Sequence, residues 1–118
     1  RTARLLAPKR FVVLAYMPEQ KVHVPQTLVL HSRLGGSLHG IARSEMEQRQ
    51  AHTRRIISTA ARRDGFDVID ASRLMCNARE CPILRDSHAL YADDSHPTRT
   101  AAIGLSPMFD ATLIESRR

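Results

Sequence analysis

An aspartate three residues ahead of a histidine, Asp93-Asp94-Ser95-His96, is the stretch of this chain whose residue types could run acid–base chemistry. Across a short turn, a carboxylate at that spacing can reach imidazole Nδ1 and leave Nε2 free to take a proton from a hydroxyl or from water. Pro97 follows directly and suits a helix start, because a first-turn residue has no use for the N–H that proline lacks. The same residues have a second use: Asp93, Asp94 and Ser95 are all helix-capping types, and His96 would then be a solvated neighbour. A base also needs something to deprotonate. Ser32, Ser37 and Ser95 all lack the strand-to-helix setting that exposes a nucleophilic hydroxyl, and the chain holds no Gly-Asp-Ser block.

Two cysteines, Cys76 and Cys81, precede this stretch. They are too few for a four-thiolate zinc site, and their spacing is not that of a redox Cys-x-x-Cys pair. A local disulfide closing a small loop leads, and it favours an oxidising compartment. Two unrelated buried thiols, or zinc held with His88 and His96, are the alternatives. His23, His31 and His39 recur eight apart, a spacing that is neither helical nor that of a zinc finger. The 18 Lys and Arg against 12 Asp and Glu leave a net charge of +6, nearly all of it from arginine. These cations are dispersed and have no interleaved aromatics on which bases could stack, which points to a solvated basic surface and to no specific nucleic-acid site.

The elements that must position these residues read as one α/β domain. With 42% hydrophobic residues, 4% aromatic and no Trp, the core must be aliphatic. No apolar run approaches the roughly 20 residues that cross a bilayer. Thr2 to Ala7 reads as the last turn of a helix stopped by Pro8, so the chain is expected to begin inside a larger domain. Phe11 to Met17 is an unbroken apolar run closed by Pro18, the pattern of a parallel strand covered on both faces. Pro18 to Gly40 reads as irregular, with a short helix over Gln26 to His31 after Pro25.

Ser44 to Arg63 predicts a long helix opened by a Ser44–Glu47 capping box and stopped by Asp64-Gly65. Met46, Gln50, Thr53, Ile57, Ala60 and Ala61 trace its inner stripe, and Arg49, Arg54 and Arg55 its wet face. Phe66 to Asp70 is the next strand, giving a βαβ-like crossover. Ile83-Leu84 and Ala89-Leu90-Tyr91 flank a turn over Arg85 to His88, a small hairpin. Pro97 to Glu115 predicts a terminal helix that Gly104 and Pro107 break near Leu105 to Met108.

From Arg10 to His96 the order of these features resembles the C-terminal part of the SGNH-hydrolase-like domain of acyltransferase-3 family polysaccharide O-acetylases. The likeness rests on a strand ending in Pro18-Glu19, on Val24-Pro25, on Val68-Ile69-Asp70, on Leu74-Met75-Cys76 with Cys81-Pro82, and on Leu90-Tyr91 leading to Asp93 and His96. The resemblance implies a partial three-layer αβα (flavodoxin-like) sandwich with a parallel sheet whose N-terminal strands are missing, residues 1–118 being the C-terminal portion of one domain. It makes His96 the general base and Asp93 its orienting carboxylate. The nucleophilic serine and the oxyanion-hole blocks would precede the position of Arg1.

The implied activity is O-acyl transfer, typically acetyl, from an acyl donor to a cell-surface polysaccharide or lipopolysaccharide acceptor. An integral-membrane acyltransferase module in the same parent protein is the implied partner, at the periplasmic face of a bacterial inner membrane. No cofactor or metal is implied. An SGNH esterase, or a nonenzymatic carbohydrate- or partner-binding module, are the alternatives. The family pattern continues His-Leu-Ser where this chain has His96-Pro97-Thr98; Thr98 can supply the capping hydroxyl, while Pro97 replaces an apolar anchor. A parallel sheet lacking its first strands would expose an apolar edge at Phe11 to Met17. Concentration-dependent self-association in sedimentation is therefore expected, and monodispersity at high concentration would count against a missing-strand sheet.

Overall fold

A computed structural model of the chain describes residues 10–110. In chain order its elements are β1 (Val12–Ala15), α1 (Val24–Leu34), β2 (Ile41–Ala42), α2 (Arg43–Asp64), β3 (Asp67–Asp70), α3 (Ser72–Met75), β4 (Glu80–Cys81), β5 (Leu84–Arg85), β6 (His88–Ala89) and α4 (Arg99–Gly104). The expected helix turn at Thr2 to Ala7 lies outside the described residues, as does the end of the expected terminal helix beyond Asp110.

The fold is mixed α/β. β1 and β3 pair in parallel, Val12 opposite Asp67 and Ala15 opposite Asp70. Parallel strands cannot be joined by a tight turn, and the crossover here carries α1, β2 and α2. At the entry end Phe11 and Phe66 meet edge-to-face at 5.6 Å and Arg10 Nε donates to Asp67 Oδ2 at 2.7 Å. Among the described residues the parallel sheet has these two strands, and β1 is shorter and wetter than its apolar run suggested: Leu14 is 43% exposed. The strand ends because Tyr16 turns the chain through a left-handed conformation, φ +60°, which a bulky residue adopts only when its surroundings hold it there.

Arg54 does the holding. Its guanidinium lies 4.1 Å from the centre of the Tyr16 ring and donates to Asp70 Oδ2 at 2.8 Å, to Ser72 Oγ at 3.0 Å and to Gln50 Oε1. The expectation that Arg54 belongs to the wet face of the helix is thus corrected: its cation finds Asp70 on the neighbouring strand and turns inward. Burial pushes the Asp70 carboxyl up, but the hydrogen bonds from Arg54 and Ser72 outweigh it and hold the group below its usual value. Met46, Gln50 and Ile57 face inward as expected, whereas Thr53 is exposed.

The helix termini follow local chemistry with one exception. α2 begins one residue before Ser44, with Ala42 at the cap and no side-chain capping bond. Arg43 serves instead, its N–H donating to Arg79 O at 2.9 Å and its Nε to Glu47. Gly65 closes α2 in the left-handed conformation expected of it. α1 starts at His23, whose ring accepts weakly from the Gln26 N–H, and runs longer than expected. The hairpin turn Asp86-Ser87 has positive φ at both residues, the type I′ geometry that matches strand twist. α4 stops at Gly104, the chain turns at Leu105-Ser106, and residues 107–110 are helical again, so the break falls where Gly104 and Pro107 put it.

Burial concentrates in two clusters. One joins Val24, Met75, Ile83, Leu90, Tyr91, Ala101 and Leu105; the other joins Ile41 and Met46 to the Cys76–Cys81 disulfide. The thiols are therefore spent in a bond and supply no zinc ligand. Beside them β2 and β4 pair so closely that a Cβ on Gly40 would sit 1.7 Å from the Cys81 carbonyl oxygen. Gln20, 3% exposed, bridges the segments: its Oε1 accepts from the Ile41 N–H at 2.8 Å and its Nε2 donates to Cys81 O at 2.9 Å. Replacing it by leucine keeps the volume but strands a buried donor and a buried acceptor, so Gln20→Leu is expected to cost about 2–4 kcal/mol. Urea unfolding measures it, with a lower midpoint at unchanged slope.

Candidate active site

The site is a tight loop between the hairpin and α4. Leu90 accepts from the Thr98 N–H, Ala92 donates to His96 O at 2.8 Å, and Tyr91 bridges Pro97, so both ends of residues 92–96 are pinned together. From below, the segment leaving β1 clasps the loop: the Gln20 N–H donates to Asp94 O at 2.7 Å and the Val24 N–H to Asp93 O at 3.2 Å. The Val24 N–H is one of the donors at the start of α1 that no helical carbonyl can satisfy, and here the loop carbonyl takes it. Tyr91 beneath is fully buried, and burial pushes its phenol pKa up. The nearby Gln20 amide is committed to Ile41 and Cys81, leaving the Tyr91 hydroxyl without a well-formed hydrogen bond.

Within the loop Asp93 does two jobs with two oxygens. Oδ1 accepts from the backbone N–H groups of His96 at 2.7 Å and Ser95 at 2.8 Å, which fixes the turn. Oδ2 meets His96 Nδ1 at 2.7 Å. Capping and imidazole pairing, alternatives from sequence, coexist, but the turn that Asp93 caps is its own. The cap of α4 is Thr98, whose Oγ1 accepts from the Ala101 N–H at 3.2 Å. Asp94 contributes its carbonyl and points its side chain to solvent.

The electrostatics assign the tautomer. The hydrogen bonds from the His96 and Ser95 N–H groups, with that from the His96 ring, lower the Asp93 carboxyl from 3.8 to about 2. An ionised carboxylate only accepts, so the proton of a neutral His96 sits on Nδ1 and the lone pair on Nε2. That nitrogen has no partner among the described residues, and the His96 side chain is 79% exposed. The pair can therefore accept a proton from a group brought to Nε2. His23, His31 and His39 do not join it, and no cluster of three His, Cys, Asp or Glu suited to a metal occurs among the described residues.

Sequence reasoning missed Gln20, which holds the floor of the loop; a lone glutamine beside Pro18-Glu19 gave no signal beyond its place in that block. It also missed Arg54, since a helix period alone cannot see the carboxylate on a neighbouring strand.

A family model for the SGNH domain (fused to AT3 domains) matches residues 1–111. Compared with curated proteins and with solved structures, the chain matches none. One consequence of the loop geometry can be measured directly. Because the folded pKa of Asp93 is depressed, its stabilisation of the loop is complete above the unfolded value of 3.8 and is lost as pH falls through about 2. A carboxyl-carbon NMR titration should give a midpoint near the lower value; a midpoint near the upper one would mean the three hydrogen bonds do not persist in solution.

Proposed function

The chain belongs to the SGNH domains fused to AT3 (acyltransferase-3) domains, and on that footing we propose that it works in O-acyl transfer with His96 as general base and Asp93 as its orienting carboxylate. The observation that carries this reading is the 2.7 Å contact of Asp93 Oδ2 with His96 Nδ1 beside an open Nε2. The nucleophile is a serine of the Gly-Asp-Ser type, supplied by polypeptide outside these 118 residues. Its Oγ attacks the carbonyl carbon of the acetyl donor while its proton passes to Nε2; the proton then leaves with the donor's departing group. A sugar hydroxyl next attacks the acyl-serine, gives its proton to Nε2, and the serine is restored by that proton. Water in the sugar's place would make the reaction ester hydrolysis.

Further strands beside β1 would complete a three-layer αβα sandwich; the exposure of Leu14 and the single pairing of β1 among the described residues support that reading. A membrane-embedded AT3 module is the proposed source of the acyl group, and a surface or lipid-linked polysaccharide the proposed acceptor. The Cys76–Cys81 disulfide supports a periplasmic setting.

By this reading the 118-residue chain alone turns over no activated acetate ester. A polypeptide that also carries the serine-bearing part does, and His96→Ala lowers its kcat by about 10³–10⁴-fold. Asp93→Asn should cost a similar factor, because asparagine keeps an acceptor for the two backbone N–H groups but turns an NH₂ toward Nδ1 and forces the wrong tautomer. Unchanged turnover in His96→Ala would sink the assignment, and turnover by the isolated chain that depends on His96 would require a serine within it.

A further inference from the structure

A second concave site lies between the β5–β6 hairpin and α4. It is a half-open hollow of about 150 Å³, and its floor is the buried apolar surface of Met75, Leu90, Ala101 and Leu105. A dry apolar cavity of about that volume holds a benzene-sized body. The rim is set by the hairpin, where Arg85 and His88 are cross-strand partners and so project to the same side. The His88 ring is fixed by its Nδ1 contact with Asp86 O at 2.7 Å. The Arg85 guanidinium makes no ion pair or side-chain hydrogen bond among the described residues; it borders the apolar hollow, and its charge reaches the buried Tyr91 phenol.

Gly104, at the end of α4, lies on the opposite wall. It takes no left-handed conformation, and a Cβ added to it would meet nothing within 4 Å. Glycine there weakens the last turn of α4, where the helix breaks before Leu105, and crowding does not require it. What the missing side chain leaves is open space in the pocket wall.

We propose that this pocket binds a small amphipathic anion, an apolar body of about six carbons bearing one carboxylate, with the body against Met75, Leu90 and Leu105 and the carboxylate at Arg85. Asp86 also borders the pocket and opposes the ligand's charge, so it tunes affinity downward. The site is independent of the acyl-transfer reading, since none of these residues belongs to the Asp93–His96 loop.

Benzoate is the probe, followed by amide NMR titration of the purified chain. Saturable shifts are expected at Arg85, Leu90, Ala101 and Leu105. Gly104→Leu adds an apolar side chain to this wall, where a Cβ meets nothing within 4 Å, and should weaken or abolish them while the rest of the spectrum stays in place. Arg85→Ala should weaken benzoate at least about fivefold, the loss of one charge-assisted hydrogen bond, and Asp86→Ala should tighten it. The proposal is overturned if benzyl alcohol binds as well as benzoate, if Gly104→Leu binds like the parent chain, or if no shift saturates up to the solubility limit. Weaker binding in Asp86→Ala would also overturn it, in favour of a hydroxyl-rich ligand that uses the carboxylate.

Discussion

A single buried amide ties this molecule together. Gln20 has one acceptor and one donor end, and each is matched: β2 gives it the Ile41 N–H and β4 gives it the Cys81 carbonyl, while its own backbone N–H holds the Asp94 carbonyl. Away from water each of these groups would be costly to leave unpaired, so the three segments can be buried together only in the arrangement that satisfies them all. The disulfide and the close approach at Gly40 make that arrangement stiffer by fixing where the Cys81 carbonyl sits. The loop bearing His96 thus rests on a polar bracket rather than on an apolar floor alone.

That bracket explains how so exposed a histidine can be so well oriented. The His96 side chain is largely in water, where ion pairs are weak and side chains move freely. Its orientation comes from Asp93, which is itself locked by two backbone N–H groups of the same turn. The turn is locked by Ala92, Gln20 and Val24. Order passes outward from buried backbone to exposed ring through a chain of hydrogen bonds, leaving Nε2 accessible.

Much of the fold was legible from local chemistry. The end of α2 at Gly65, the I′ turn at Asp86-Ser87 and the break after Gly104 depend on the conformational preferences of a few adjacent residues, which sequence displays. The cap expected at Ser44 falls two residues earlier, at Ala42, because the Arg43 N–H finds the Arg79 carbonyl across space. Arg54 was misread for the same reason: its position on the helix is ambiguous until Asp70 and Tyr16 are brought to it. The continuous apolar run at Phe11 to Met17 promised cover on both faces, but the described residues hold one partner strand, and Leu14 remains half open to water.

By itself the sequence determined what lies within one turn of chain: the Asp93 to His96 spacing, the five-residue step from Cys76 to Cys81, and the signals that start and stop each helix. Those interactions close short loops and need little help from the rest of the molecule. Tertiary structure decided what no short window contains. It chose Gln20 as the bracket, turned Arg54 inward, aligned Arg85 with His88 over a hollow that Gly104 leaves open, and left His96 Nε2 facing solvent. Each depends on groups many residues apart meeting in a low-dielectric interior or at its rim, where only the whole fold sets the distance and the solvation.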